Sequence, residues 1–536
     1  MKISFGISKD RIEGLKKYIE RNLILFVALF LICLSLYSFN VFYSNGLGLA
    51  YNDARSHLNI GRRVVEGLKP GLAQLGSVWL PLPHALMIPT IWNNFMWHSG
   101  LSGALISMAS FVGTGIIIYK FLEKLGVEIL ARLFGVLVFV ANVNILYLQS
   151  TAMTELLLIF TMTAAVYELL LWHKEDKVTS LIKAAFWMMM ASLIRYDGWF
   201  LLAFGSALII LNAFKKHGAK AAEGMFILFA TLAGLGIGLW LLWNLLIFGD
   251  PLYFAFGPYS ARAQQLQLEQ AGVLATKGNI LLSAKVYLYA LIYNSGAFTA
   301  ILGVLGMAAF WLNKKVETSM KIASTALLAP FAFNILALYL GHSVLFIQGI
   351  SGETWFNVRY GVMMLPTFAI FTGYLVHKLT SLRATIIGLF LFVTFFAFAN
   401  VDAVTIDDAR VGSSQKNVTE VSSWLRQNAK DEKGFVLISA ASHDAIIFSS
   451  GLPMGKFIHE GTGLYWENAT TSPDRWARWI VMRTNDLNDS TFKLVKQSGQ
   501  LEKYDLVNSY PFADIYQLKS EYLANLNTEP VLGKQK

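Results

Sequence analysis

The 536-residue sequence contains a single cysteine, Cys33, which excludes an intrachain disulfide framework and any cysteine-based metal site. Charge is also scarce. Asp, Glu, Lys and Arg make up 15% of the chain, against about 25% in an average soluble domain. No GxxxxGK[ST] loop occurs, so the backbone cradle of a P-loop nucleotide site is missing. What fills the space is apolar: 55% of residues are hydrophobic and mean hydropathy is +0.50. The apolar residues come in long blocks, as in an integral membrane protein. Aromatics reach 14%, enough for many interfacial Trp and Tyr anchors. The net charge of +10 does not indicate nucleic acid, because most of the positive charge sits in short loops between apolar runs.

Apolar runs predict helices near residues 23–43, 101–121, 127–147, 152–172, 181–195, 198–214, 224–248, 284–312, 322–348, 360–378 and 384–400. That is about eleven spans, with a basic segment 1–22 before them. The first run is too long and too aromatic at its end for a cleaved signal peptide, and reads as a retained helix. Orientation follows from loop charge. Lys120, Lys124 and Arg132 share one side with the N-terminal segment. So do Lys174, Lys177 and Lys183, then Lys215, Lys216 and Lys220, then Lys314, Lys315 and Lys321, then Lys378 and Arg383. This register makes the N-terminus cytoplasmic. Residues 44–100, 148–151, 195–198, 249–283 and 349–359, and the tail from 401, then face outward.

The first outward loop opens with "YNDARSHLNIGRRVVEG", residues 51–67. Leu58, Val64, Val65 and Leu68 fall on one side of a helix, and Arg55, Asn59, Arg62 and Glu66 on the other. The spacing predicts a helix lying in the membrane interface, with its polar face to water and head groups. Asp53 stands where a helix cap would. The tail, 401–536, alternates short apolar and polar blocks and predicts a small extracytoplasmic α/β domain. Its strands are expected in "GFVLISA", "GKFIHEG", "RWIVMR", and a closing hairpin of "YDLVNSY" with "DIYQLK". His443, Asp444, His459 and Glu460 read as ordinary surface or turn residues. Sequons occur at Asn417, Asn468 and Asn488 and are as readily explained by chance as by glycosylation.

An outward-facing catalyst has no cytoplasmic nucleotide sugar to use, but a lipid-linked donor crosses the membrane. Glycosyl transfer from a lipid phosphate needs a carboxylate to take the acceptor's proton and cations to hold the leaving phosphate. Asp53 is one carboxylate at the outward ends, read either as a helix cap or as a site acid. Glu155, at the outward edge of its span, should face a partner or cavity rather than lipid. Arg195 and Asp197 in "IRYDGW" either form a hairpin ion pair or belong to the site. Arg359, with Tyr360 beside it, enters the tenth span from the outside and suits phosphate oxygens. Arg55 and Arg62 are candidates for phosphate or for lipid head groups. His57 lies one turn from Asp53. Lys277, Arg262 and His84 are weaker candidates for holding phosphate. Nothing in the spacing names a metal set, and a divalent metal stays open.

Taken in order, "NDA" (Asp53), "AMTE" (Glu155), "LIRYDGW" (Arg195 to Trp199), "FGDPLYF" (Gly249 to Phe254) and "NVRYGVMMLP" (Arg359 to Pro366) resemble stretches of the GT-C superfamily of polyprenyl-phosphate-sugar-dependent glycosyltransferases. The likeness is to protein O-mannosyltransferase-like and aminoarabinose-transferase-like enzymes, and covers roughly residues 20–400. It implies a GT-C bundle, an inverting displacement with Asp53 as base, Arg195 and Arg359 on the phosphate, and Glu155 near sugar or acceptor. Ala54 stands where many relatives carry a second acid. No WWDYG-like stretch occurs, which argues against an oligosaccharyltransferase. The implied partners are membrane lipid, a polyprenyl-phosphate sugar, and a protein, lipid or glycan acceptor. A lipid or oligosaccharide transporter or flippase, and a polysaccharide ligase or polymerase, are the rival readings. The absence of a clear internal repeat and the one-sided clustering of charge disfavour a transporter.

Overall fold

The computed structural model describes residues 9–257, 260–270, 272–412, 418–527 and 531. Asn417, one of the three sequons, lies outside the described residues. Eight helices among the described residues are long and apolar enough to cross a membrane. They run Asn22–Ser44, Leu101–Lys124, Glu155–Glu175, Asp197–His217, Ala219–Phe248, Thr318–Tyr339, Val358–Lys378 and Arg383–Val411. The first of these is the apolar part of a longer helix, Lys9–Ser44.

The remaining expected spans take other forms. The run 284–312 is two helices, Ile280–Ser295 and Ala297–Leu312, meeting at 107°. Gly296 between them has φ +76, a backbone region that glycine enters without steric cost. Hydropathy sees one apolar run there because the break lies in the backbone rather than in polarity. The expected span 127–147 is a helix Ile129–Val140 and a short one, Val143–Leu148, the second capped by the Asn142 side chain on the Ile145 amide. At 1.5 Å per residue neither crosses a core about 30 Å thick alone. The same holds for Val178–Ser192. The run 322–348 stops as helix at Tyr339.

Small residues let helices pack closely in the bundle. Ala297–Leu312 lies along Leu365–Lys378 at Gly303 and Gly306. A Cβ on Gly306 would stand 2.0 Å from the Phe371 carbonyl oxygen, and one on Gly303 2.5 Å from the Phe368 ring. Gly306→Ala is therefore expected to destabilise by about 1–3 kcal/mol through overpacking. Gly388→Ala, where nothing lies within 4 Å, leaves stability level or slightly higher. Thermal unfolding of both variants in detergent checks the pair.

The C-terminal elements match the expected α/β pattern. Strands β1 (Phe435–Ile438), β2 (Phe457–Ile458), β3 (Ala477–Met482), β4 (Tyr504–Ser509) and β5 (Asp514–Leu518) form one sheet in the order β2-β1-β3-β5-β4. The first three are parallel, with helices Ala440–Ser450 and Leu464–Thr471 in the crossovers. β5 pairs antiparallel with β3 and with β4, closing the predicted hairpin. Val436, Ile438, Trp479 and Val481 on one face of this sheet join the same buried core as the membrane helices. Leu437, Ile480 and Met482 face a second core under Ser490–Ser498.

The first-loop helix, Asn52–Val65, forms as the spacing predicts. Its polar face is largely covered by protein rather than open to water, with Arg55 and Glu66 only partly exposed. Asn59 and Arg62 are buried, and Glu66 lies just past the helix in extended backbone. Asn59 Nδ2 donates to the Asp444 carboxylate and carbonyl, each at 2.9 Å. Arg63 Nη1 lies 3.0 Å from the same carboxylate. Glu66 accepts from the Met454 amide at 2.9 Å, and Gln74 donates to the Gly461 carbonyl at 2.7 Å. The helix is thus a strut between the bundle and the α/β unit. That correction has a simple cause: the groups covering it lie nearly 400 residues away in sequence.

Of the tail residues expected in surface or turn roles, His443, Asp444 and His459 are buried and Glu460 is half-buried. His443 Nε2 is 2.7 Å from Asp489, and Glu460 accepts from the Ala440 amide and the Ser439 hydroxyl. His459 caps a 3-10 turn.

Candidate active site

Asp53 is not the cap of its helix. Tyr51 occupies that position, and no side chain caps the turn. The Asp53 carboxylate instead reaches Arg359 Nη2 at 2.7 Å, 306 residues away. Arg359 belongs to a 3-10 helix, Val358–Met364, that leads into the span. Asn357 before it has φ +54, a left-handed conformation that Asn tolerates better than most residues. That turn aims the guanidinium inward.

Arg359 collects three carboxylates. Its Nε lies 2.9 Å from Glu155 Oε1, its Nη2 on Asp53, and its Nη1 3.6 Å from Asp408 Oδ2. Its guanidinium stands 5.0 Å over the Tyr51 ring and 5.4 Å over Tyr360. Glu155 is the first residue of Glu155–Glu175 and fully buried, so its charge also sits at the positive end of a helix dipole. Arg195 shares it: Nη1 is 3.4 Å from Glu155 Oε1 and Nε 3.3 Å from Asp197 Oδ2. Asp197 likewise opens a helix, Asp197–His217. The Arg195 guanidinium lies 4.4 Å over Tyr360. The hairpin pair and the site are therefore one network.

Exposure separates the members. The Asp53 side chain is 34% exposed and Arg195 19%, whereas Arg359 is 4%. Asp53 is the carboxylate that an incoming molecule can reach. Arg359 is buried and held on its acids.

Two further groups border the network. His57 Nδ1 is 2.8 Å from His84 Nε2, and the His57 ring packs 4.3 Å from Trp79. Burial pushes the His57 imidazole down to about 3, with the Arg359 and Arg195 charges acting the same way. It stays neutral near pH 7. Burial lowers His84 as well. Trp79 is 36% exposed, and its neighbour Val78 accepts a hydrogen bond from the Tyr196 hydroxyl at 3.3 Å.

Arg62 takes a different place. It donates to Glu66, to the Ile91 and Trp92 carbonyls and to Asn94, and stacks 4.7 Å over Trp97. Every arm is used by the protein, so it braces the loop. Arg55 points away from the acids and donates from Nε to Leu49 and from Nη1 to Asn52. Lys277 is paired with Glu269 at 2.6 Å, and Arg262 lies over Phe256.

Sequence reasoning missed Asp408 and Tyr51. Asp408 sits in Val404–Val411, just past the last apolar run. It accepts from the Tyr51 hydroxyl at 3.2 Å, and Tyr51 also donates to the Thr405 carbonyl at 2.8 Å. No local pattern marks either residue, because each is defined by its partner. Among the described residues no three His, Cys, Asp or Glu side chains form a set that could hold a metal ion. Asp53, Glu155 and Asp408 converge on a guanidinium instead.

No family model matches the sequence, and no curated protein matches it. The fold, however, is found in solved structures. ArnT from Cupriavidus metallidurans bound to undecaprenyl phosphate superposes with a TM-score of 0.55 at 10% identity, over 92% of this chain and 98% of that one. Its apo state gives 0.50 at 10% identity, over 88% and 94%. The apo Archaeoglobus fulgidus oligosaccharyltransferase gives 0.50 at 11% identity, over 87% of this chain and 70% of that one. At these identities the likeness is one of fold. The chain is an integral membrane protein with the fold of the GT-C glycosyltransferases.

Proposed function

We propose that the chain transfers a glycosyl group from a polyprenyl-phosphate sugar to an acceptor on the extracytoplasmic side, with Asp53 as general base. The observation that carries this is the reachable Asp53 carboxylate fixed by a buried guanidinium at the start of the first-loop helix. In the step, Asp53 takes the proton of the acceptor hydroxyl as that oxygen bonds to the anomeric carbon. The bond from that carbon to the phosphate oxygen breaks, and the electron pair leaves on the lipid phosphate. One displacement inverts the anomeric centre. Arg195, with its partly open edge, meets the leaving phosphate. Arg359 orients Asp53 and adds positive charge behind it. Trp79 and neutral His57 offer an aromatic wall for sugar next to the network. The ArnT likeness supports the donor class, since that protein was solved with undecaprenyl phosphate.

Orientation and domain bounds follow the loop charges: segment 1–22 inside, 23–400 the transferase body, and 401–536 outside. The test is purified protein in vesicles, incubated with a panel of polyprenyl-phosphate sugars and a mixed acceptor extract, with mass analysis of products. A mass increment from one donor, absent without the protein, is expected. Movement of labelled donor across the vesicle with no glycosidic product would overturn the reading in favour of a transporter.

A further inference from the structure

Charge balance around the arginines singles out one of them. Among the residues whose burial is described, every buried or half-buried arginine lies within ion-pair distance of a carboxylate, except Arg55. Arg62, Arg63, Arg132, Arg195, Arg359, Arg383, Arg478 and Arg483 all have such a partner. Arg55 is half-buried and has only neutral oxygens, the Leu49 carbonyl at 2.9 Å and Asn52 Oδ1 at 3.3 Å. Burial lowers its proton affinity. A half-buried cation with no counter-charge gives up part of its hydration without an ion pair in return, and an anionic ligand would offset that loss.

Arg55 also lines two clefts, of about 460 and 560 Å³. Arg426 and His98 line the first, and Arg410 the second; among the described residues neither is lined by an Asp or Glu. Arg426 resembles Arg55 in being set by backbone, donating from Nε to the Ser450 carbonyl at 2.9 Å and from Nη2 to Ser449 at 2.6 Å. Its fork is oriented but its charge is not cancelled. Phe448 and Leu49 add apolar surface to the first cleft, and Leu47 to the second. The second cleft begins at Asn45, directly after the first span. Both border the first turn of the helix that carries Asp53.

We propose that the clefts around Arg55, Arg410 and Arg426 form an anion subsite that binds a phosphate group on the acceptor, separate from the Arg195–Arg359 network. Binding of phosphate here stands on its own, whereas its assignment to the acceptor rests on the transferase reading above. A guanidinium fork suits phosphate oxygens, and the apolar lining suits a molecule delivered from the membrane surface. The phosphate can come from a lipid head group or from a water-soluble sugar phosphate.

Native mass spectrometry of the full chain in neutral detergent tests this with three probes: phosphatidic acid, glucose 6-phosphate and undecaprenyl phosphate. Phosphatidylcholine is the reference. Wild type should bind a phosphate-monoester probe in preference to phosphatidylcholine. Arg55→Gln and Arg410→Gln should each weaken it by about tenfold, the equivalent of one charge-assisted contact. Arg55→Lys should retain most of the binding, and Arg475→Gln, an exposed arginine elsewhere, all of it. The Arg410 side chain has no hydrogen bond or ion pair among the described residues, so its variant tests the idea even if Arg55→Gln misfolds. Phosphatidic acid alone responding assigns a lipid acceptor, and glucose 6-phosphate responding assigns a soluble one. The proposal is overturned if neither shows a preference, or if the variants lose only undecaprenyl phosphate, which would make the clefts part of the donor site. Since no transfer is measured, failure here is distinct from failure of the transferase reading.

Discussion

Asp53→Asn is expected to lower kcat for glycosyl transfer by about 10²–10⁴, the range for loss of a positioned general base, while the protein still folds. Asn is nearly isosteric and its amide oxygen can still accept from Arg359 Nη2, so the 2.7 Å contact survives in weaker form. What is lost is the basic lone pair. The carboxylate is about one-third exposed, so removing its charge strands no fully buried group. Arg359 keeps Glu155 and Asp408. The stability change should therefore resemble that of a surface pair, about 1 kcal/mol or less. Initial rates over a range of donor and acceptor concentrations, beside an unfolding curve, separate the two effects. Unchanged KM with collapsed kcat marks the base. A variant that transfers sugar at the wild-type rate would remove Asp53 from the chemistry.

How much of this site the sequence could show depended on where each residue's partner lies. Glu155 was legible because an acid at a span edge must face something other than lipid, and it faces two guanidiniums. Arg195 and Asp197 are near neighbours, and their pairing was legible from spacing. The helix Asn52–Val65 was legible from its periodicity, but its surroundings were not. Periodicity separates two faces and does not say what covers the polar one; here Asp444 and Met454 cover it. The capping role considered for Asp53 failed for a similar reason. Propensity favours Asp at a cap, while a buried arginine from another element competes for the same carboxylate and wins. Hydropathy found the long spans and missed the 107° corner at Gly296, since a glycine turn inside an apolar run leaves polarity unchanged. Asp408 had no local signal at all. It counts as part of the site only because Arg359 and Tyr51 meet it.

The convergence of acids on Arg359 makes that residue the keystone of the end of the bundle where the first-loop helix docks. Arg359→Met should destabilise the protein by about 3–5 kcal/mol, as when one partner of a buried ion pair is removed. Glu155 would then keep only Arg195 at 3.4 Å, and its Oε2, already without a hydrogen-bond partner, would sit in an emptier pocket. Asp53 and Asp408 would face it with no cation between them, adding repulsion in a medium that screens poorly. Arg359→Lys keeps a charge but loses the fork that spans Asp53 and Glu155 together, so it should fall between wild type and Arg359→Met. The sharper measurement is a double variant. If the loss comes from stranded charge, Arg359→Met with Glu155→Gln should be more stable than Arg359→Met alone, because the second change removes a charge that the first exposed. Unfolding midpoints in one detergent give the comparison directly. Additive losses would show that Arg359 acts through its packing on Tyr51 and Tyr360 rather than through its acids.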